Sequence, residues 1–477
     1  MYSNFRYNLP ALLLTLTVAS SGLRCDATVS DPLRVSENGR YLVQSDGKPF
    51  FYLGDAAYML FYNLTDPEIA DYLNDRAAKG FTVIEAGLTR GIQQLPTING
   101  ERTFQARKGK PKADDFSRPN EAFFLHVDRA MAVAAKLGLH VTLFPIWDKL
   151  LEDLTEDEAR TYGEFLGRRY KQQPVIWSLV GDVAPRGHEA VMRSLAAGLL
   201  AGHGGTQLMT FKPRGGASSS TGFHHDAWLS FNSIQGSHSR YRPPENPRPT
   251  LIARDYARQP AKPTMDSESG FENIPEGLSR RGTRSMSAKV PFEERFKTHD
   301  VRRVAYWTVF AGGCGFTYGA NGVYQFTKAS LDYSQRWDPG MEWREALNLP
   351  GAAQMIWLRR LLESRPFLTR VPDQTIIASP NSEKEGPDHV QATRDASGSY
   401  AFVYLAFGQP VSIALEKLSG ATLAATWFNP RTGASAPIST FAKTGVREFV
   451  PPSHGIDHDW VLVLDDAEKQ FPAPGQP

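Results

Sequence analysis

Apolar positions along this chain fall into two repeating patterns. Between about residue 50 and residue 363, short runs of adjacent apolar residues alternate with longer stretches whose apolar positions recur every three or four residues. The first pattern predicts buried strands and the second predicts amphipathic helices. Strands are expected at Phe51–Leu53, Thr82–Glu85, His140–Phe144, Val175–Val180, Gln207–Thr210, Trp228–Asn232, Pro263–Asp266 and Gly315–Tyr318. Helices are expected from Thr65 to about Lys79, and over Glu121–Leu137, Thr155–Tyr170, His188–Leu200, Val301–Gly312 and Ala352–Glu363. Two of these open on a capping box, Thr65 with Glu68 and Thr155 with Glu158, where each side chain satisfies the other residue's free backbone N–H. Strands alternating with helices imply parallel pairing through crossovers. Eight such units predict a (β/α)8 TIM barrel, an α/β fold. A doubly wound dinucleotide fold fits less well, because Gly54-Asp55-Ala56-Ala57-Tyr58 follows the first strand where a glycine-rich loop is needed.

The pattern differs at both ends. Before the barrel, Asn38-Gly39 and Asp46-Gly47 read as tight hairpin turns in a small β-element. After Arg365-Pro366 and Val371-Pro372-Asp373, short alternating strands such as SYAFVYLAF, ATLAATWF and WVLVLD predict a small C-terminal β-sandwich. The expected organisation is a leader over 1–27, a barrel with its hairpin over 28–372, a sandwich over 373–467 and a frayed tail over 468–477. The leader reads as a secretory signal peptide, with Arg6, an apolar Leu9–Ala19 and cleavage near Ala27. That stretch is too short to span a bilayer, which takes about 20 apolar residues. Cys25 offers a lipoprotein alternative, but Gly22-Leu23-Arg24 before it is a poor lipobox. The expected location is secreted or periplasmic, without an integral membrane segment.

Composition narrows the chemistry. Lys and Arg total 53 against 51 Asp and Glu, a net charge of +2, which argues against binding nucleic acid by bulk electrostatics. The two cysteines, Cys25 and Cys314, exclude a disulfide scaffold and a cysteine-rich zinc site. His188-Glu189-Ala190-Val191-Met192 has Met where a zinc protease needs its second His. His224-His225-Asp226 reads as a loop at the barrel mouth, and the basic stretches Arg102–Lys112 and Arg280–Arg284 as solvated loops. There is no GxSxG elbow and no phosphate-binding loop. No cofactor and no metal are expected, and the sequence assigns no oligomeric state.

Catalysis in this barrel belongs where the strands end. Reading those positions gives Asp55, Glu85, Trp147-Asp148, Asp182, Gln235, Asp266-Ser267-Glu268 and Tyr318. Carboxylates interleaved with aromatics match the needs of glycoside hydrolysis. One carboxylic acid protonates the leaving oxygen, and a second attacks carbon or activates water. Aromatic faces cover the apolar side of a sugar ring. Asp182 and Glu268 are the candidate catalytic pair, with Asp55, Trp147, Gln235, His238 and Tyr318 as candidate substrate contacts. Two other readings stay open: a carbohydrate-binding protein that keeps such a barrel without the chemistry, and a barrel enzyme of another class, such as a lyase or esterase.

FFYLGDAAYMLFYNLT, RAAKGFTVIEAG, LHVTLFPIW, PVIWSLVGD, KPTMDSESGFENIP and AYWTVFAGGCGFTYGANGVYQF occur in this order. Together they resemble glycoside hydrolase family 140, the apiosidase-like barrel enzymes, over about residues 32–370. TWFNPRTG and DHDWVLVLD are similar to the β-domain labelled collagen-binding that follows this barrel in the family. The resemblance implies an exported hydrolase of a plant-type or microbial polysaccharide. The family acts on β-linked apiose of pectic rhamnogalacturonan II. The resemblance places its two catalytic carboxylates on Asp182 and Glu268, and analogy with retaining barrel glycosidases makes Asp182 the acid/base and Glu268 the nucleophile. This chain departs from the family pattern in Val180-Gly181-Asp182-Val183, which lacks the family's further acid, and in Gln235-Gly236-Ser237-His238, where the family often has QSGH.

Overall fold

The computed structural model describes residues 32–89, 97–239, 247–276, 291–331, 340–386 and 389–476. The expected leader and the Arg280–Arg284 cluster lie outside the described residues. Eight parallel strands form the barrel: β1 (Tyr52–Ala56), β2 (Val83–Gly87), β3 (His140–Phe144), β4 (Val175–Ser178), β5 (Met209–Thr210), β6 (Asn232–Ser237), β7 (Thr264–Ser269) and β8 (Gly315–Tyr318). They lie side by side in the order β5-β4-β3-β2-β1-β8-β7-β6. The seam between β5 and β6 is bridged by Ser230 N–H donating to Met209 O and by Thr210 Oγ1 donating to Phe231 O, both at 2.8 Å.

The crossovers carry α1 (Asp66–Ala78), α2 (Glu121–Lys136), α3 (Glu156–Arg169), α4 (Glu189–His203), α5 (Arg248–Tyr256), α6 (Thr298–Phe310) and α7 (Pro350–Glu363). Both capping boxes form: Thr65 N–H meets Glu68 Oε2 at 2.9 Å, and Thr155 N–H meets Glu158 Oε2 at 3.2 Å. The crossover after β5 holds only the irregular turn Ser220–Phe223. Among the described residues no helix is long and apolar enough to cross a membrane.

Within the barrel the fold departs from the expected pattern at three points. The sixth strand lies at Asn232–Ser237 rather than Trp228–Asn232. The apolar Trp228, Leu229 and Phe231 are buried as irregular chain leading into it, while the strand itself is polar and escapes a hydropathy reading. Helix α5 was not expected, since only Leu251 and Ile252 mark its buried apolar side. The basic stretch Arg102–Lys112 belongs to a hairpin, Phe104–Arg107 with Lys110–Pro119. Its Phe104 packs edge-on against Phe116 and against Tyr162 of α3, each at 4.9 Å.

Beyond the barrel come β9 (Arg370–Pro372), β10 (Val390–Asp395), β11 (Tyr400–Leu405), β12 (Val411–Ala414), β13 (Thr422–Phe428), β14 (Ser435–Ala442), β15 (Val446–Phe449) and β16 (Trp460–Asp466). Six form one antiparallel sheet, β9-β10-β11-β16-β13-β14, and β12 pairs with β15 in a second, two-stranded sheet. Strand β11 is buried on both faces, which is why it reads as a continuous apolar run. Ala401, Val403 and Leu405 join the C-terminal core, whereas Tyr400, Phe402 and Tyr404 join the barrel core. Helix α6 lies between the two bodies, with Tyr306 stacked on Tyr404 at 4.7 Å. Arg302 of α6, fully buried, pairs with Asp459 at 2.7 Å. The tail is docked rather than frayed: Arg365 lies 4.8 Å over the Phe471 ring, and Gly475 N–H donates to Ser364 Oγ at 3.3 Å.

Candidate active site

Side chains along a barrel strand alternate between the interior and the helix layer, and laterally paired residues share a side. Glu85 pairs with Ala56 and Thr142, and Gly54 with Thr317. All face inward: Tyr52 OH and Thr317 Oγ1 donate to Glu85 Oε1 at 2.9 and 2.7 Å inside the barrel. Asp55 and Tyr318 are lateral partners of the opposite parity. Asp55 Oδ2 accepts from Arg76 Nε at 2.6 Å and Tyr72 OH at 2.5 Å, both on α1. Tyr318 OH donates to Glu272 Oε2 at 2.6 Å. Both residues are fully buried against the helix layer. The structure therefore keeps these two expected contacts away from the barrel mouth.

At the mouth the alternation breaks. A register shift between Ile234 and Gln235 sets Asp266 beside Ile234 and Glu268 beside Gln235, so β7 carries an extra residue. A bulge of this kind re-aims the side chain that follows it. Asp266 holds the bulge: Oδ1 accepts from the backbone N–H of Gly236 and of Glu268, both at 3.1 Å, and Ser269 Oγ donates to Oδ2. Glu268 thereby reaches the mouth and meets three partners. Tyr58 OH donates to Oε2 at 3.0 Å, Lys212 Nζ donates to the same oxygen, and His238 Nε2 lies 2.7 Å from Oε1. Burial alone raises the Glu268 pKa, but the Lys212 charge and the His238 contact overcome it and hold the carboxyl well below the usual carboxylate range.

Lys212 follows β5 and is completely buried. Its ammonium donates to Tyr58 OH as well, and lies 4.0 Å from the Tyr58 ring centroid and 5.5 Å from that of Trp147. Burial pulls its pKa down, yet Glu268, Asp182 and Glu85 together leave it raised, so the lysine stays charged. One layer deeper, burial pushes the Glu85 carboxyl up to about 7 against the pull of Lys212.

Asp182 follows Val180-Gly181, which pairs with Ile146-Trp147 beyond the ends of β3 and β4. Its backbone is left-handed, φ +58°, which an aspartate tolerates better than most residues. Its side chain is partly exposed, and Gln235 Nε2 donates to Oδ1 at 2.9 Å. Because Gln235 is the lateral partner of Glu268, one residue joins the two candidate carboxylates. Trp147 forms a wall with Tyr58 at 4.7 Å and Phe144 at 5.2 Å. Phe271 continues the wall, 6.3 Å from Tyr58 and 5.0 Å from the His238 ring. The partly exposed Tyr324 packs against this cluster.

The structure thus gathers Asp182, Glu268, Trp147, Gln235 and His238, and sets Asp55 and Tyr318 apart. Lys212 and Tyr58 escaped the sequence reading. The available signal was a lysine directly after the apolar Met209-Thr210-Phe211. Away from the mouth, His224 and Asp226 have structural roles: His224 contacts Asn232 Oδ1 and Pro260 O, while Asp226 pairs with Arg193. Burial pushes the Cys314 thiol up to about 12, which removes it as a nucleophile. His299, Asp457 and Asp459 are near enough to share a cation, but Arg302 and Arg431 already supply the positive charge at Asp459.

The arrangement is one carboxylate held ionised, a second at the solvent edge, and an aromatic wall beside them. Two carboxyl groups in unlike environments are equipped for separate roles in acid and base chemistry. The family model described as "Apiosidase-like, catalytic domain" matches residues 36–369. A second model, "Putative collagen-binding domain of a collagenase", matches residues 371–465. A solved structure titled "Glycoside hydrolase" is 32% identical, with a TM-score of 0.82 over 93% of this chain and 98% of its own. A glycoside hydrolase family 5 structure from Bacteroides vulgatus is also 32% identical, with a TM-score of 0.82 over 93% of this chain and 95% of its own. No curated protein matches the sequence.

Proposed function

Since the chain belongs to the apiosidase-like catalytic-domain family and is a glycoside hydrolase, we propose that it is an exported enzyme cleaving a plant-type or microbial polysaccharide with retention at the anomeric carbon. Asp182 is the acid/base and Glu268 the nucleophile. In the first step Asp182 gives its proton to the leaving oxygen as Glu268 attacks the anomeric carbon. The glycosidic bond breaks and a glycosyl ester forms. In the second step the Asp182 carboxylate takes a proton from water, whose oxygen displaces Glu268 and restores the start.

The observation that carries this reading is the anchoring of Glu268 by Lys212, Tyr58 and His238. These contacts keep the carboxylate ionised and fixed, so little reorganisation is needed for attack. The same charge makes Glu268 a good leaving group in the second step. The wall of Tyr58, Trp147, Phe271 and Tyr324 supports a sugar ring as the occupant of the mouth.

Sugar release from a panel of polysaccharides tests the reading, with rhamnogalacturonan II and its side-chain oligosaccharides included and Glu268→Gln as control. Release of one sugar by the wild type alone is expected, with proton NMR showing the retained anomer first. Equal release by both proteins would remove Glu268 as nucleophile, and an inverted first product would replace it with an activated water. The leader supports export; sequencing the N-terminus of the exported protein should find it beginning near Thr28.

A further inference from the structure

The β-domain reaches the catalytic face through a buried ion pair. Glu385 lies between β9 and β10, on the C-terminal side of the molecule, and its side chain is wholly buried. It holds Arg248, the first residue of α5, which is 1% exposed. Arg248 Nη1 meets Glu385 Oε2 at 2.5 Å, and the Arg248 backbone N–H meets Oε1 at 2.5 Å. The rest of the guanidinium points toward the mouth. Nη2 donates to Ser237 O at 3.2 Å and Ser239 O at 2.5 Å, the two carbonyls flanking His238. Nε donates to Ser269 Oγ at 3.3 Å, and that hydroxyl donates to Asp266, the residue that pins the bulge below Glu268. Gly236 leaves the room: a Cβ there would stand 2.5 Å from Asp266 Oδ2 and 3.0 Å from Arg248 Nε.

We infer that Glu385 is a positioning residue for the active site, acting through Arg248 to set the two chain segments that carry His238 and Glu268. The β-domain is then a working part of the catalytic face rather than an appended module. Guanidinium planarity suits this role. Two nitrogens of one rigid fork face the carboxylate and the carbonyls at fixed angles. Without its carboxylate partner, Arg248 would be a buried charge free to turn away from Ser237 and Ser239.

The inference rests on the placement of His238 and Glu268 in the site, and its test reads amide exchange and ring resonances rather than turnover. Failure of the hydrolytic reading is thereby distinguishable from failure of this one. The full chain is compared with Glu385→Gln and with Asp457→Asn, which weakens the Arg302 contact elsewhere between the two bodies. Amide hydrogen exchange is measured by mass spectrometry, and the His238 ring proton resonances are recorded by NMR at one fixed pH. Expected for Glu385→Gln is about tenfold faster exchange over residues 235–239 and 266–269, with displaced His238 ring resonances. Asp457→Asn should leave both unchanged. Arg248→Lys, which keeps the charge opposite Glu385 but loses the fork, should repeat the Glu385→Gln result and serves if that variant fails to fold. Wild-type exchange and His238 resonances in these variants, or equal change in Asp457→Asn, would overturn the inference.

Discussion

Lys212 and Glu268 form a buried ion pair at the end of β5 and the bulge of β7, with Tyr58 touching both partners. Glu268 has a folded pKa below its unfolded value. The stability it contributes is therefore fully present above its unfolded pKa of about 4.3 and is lost as pH falls through the folded pKa. Lys212→Met removes the main opposing charge, so burial then dominates and the Glu268 pKa moves up. The acid limb of kcat/KM should shift to higher pH, with kcat lowered on the order of 100-fold. Thermal unfolding should show a loss of about 3–5 kcal/mol near neutral pH, where the buried carboxyl loses its lysine countercharge. An acid limb that does not move would mean that Lys212 has no electrostatic hold on Glu268.

Glu85 gives the opposite sign. Its carboxyl rises from 4.5 to about 7 on burial. Between those values the folded protein keeps a proton that the unfolded chain has released. Stability should fall as pH rises from about 4.5 to about 7 and level off above that range. The gap corresponds to roughly 3 kcal/mol. Glu85→Gln keeps an oxygen for Tyr52 OH and Thr317 Oγ1 and carries no titrating proton. Melting temperatures measured across this window should show a flatter profile for the variant than for the wild type.

Asp55→Asn distinguishes a structural carboxylate from one that binds substrate. Its partner Arg76 is fully buried and, of its carboxylate pairs at Asp55 and Asp75, would keep the one to Asp75 at 2.7 Å. Removing the carboxylate should lower stability by about 3–5 kcal/mol. Below the melting transition, kcat and KM should stay within about twofold of wild type, because Asp55 faces α1. A raised KM with unchanged melting would return Asp55 to the mouth.

What could be read from the sequence follows from what each signal encodes. Apolar runs and capping boxes are local, so Val83–Gly87, His140–Phe144 and the start of α1 were visible. Strand-end acids were visible as residue types, but not the side each would face. Asp55 and Tyr318 are register partners, and lateral register sets both toward the helices. Glu268 reaches the mouth through a bulge that leaves no local sequence mark. An isolated lysine usually reads as solvated, and the charge of the buried Lys212 is kept by acids from three other strands or strand ends. The Glu385–Arg248 contact spans 137 residues and has no sequence pattern at all.

The spacing between Gly181 and Trp147 supports a last prediction. A Cβ at Gly181 would stand 2.6 Å from Trp147 Cε3 and 2.7 Å from Cζ3. The indole has little room to move, being packed 4.7 Å from Tyr58 and 5.2 Å from Phe144. Gly181→Ala should therefore push the Trp147 ring into the mouth and disturb Asp182 next in sequence. Overpacking of this kind costs about 1–3 kcal/mol, and kcat/KM should fall on the order of 10-fold. The cause can be isolated by adding Trp147→Phe, whose smaller ring vacates the contested space. Measured by thermal unfolding, the double variant should be more stable than the sum of the two single changes by about 1 kcal/mol or more. Strict additivity would mean that the alanine harms the backbone at Asp182 directly, and that the indole is not what requires glycine there.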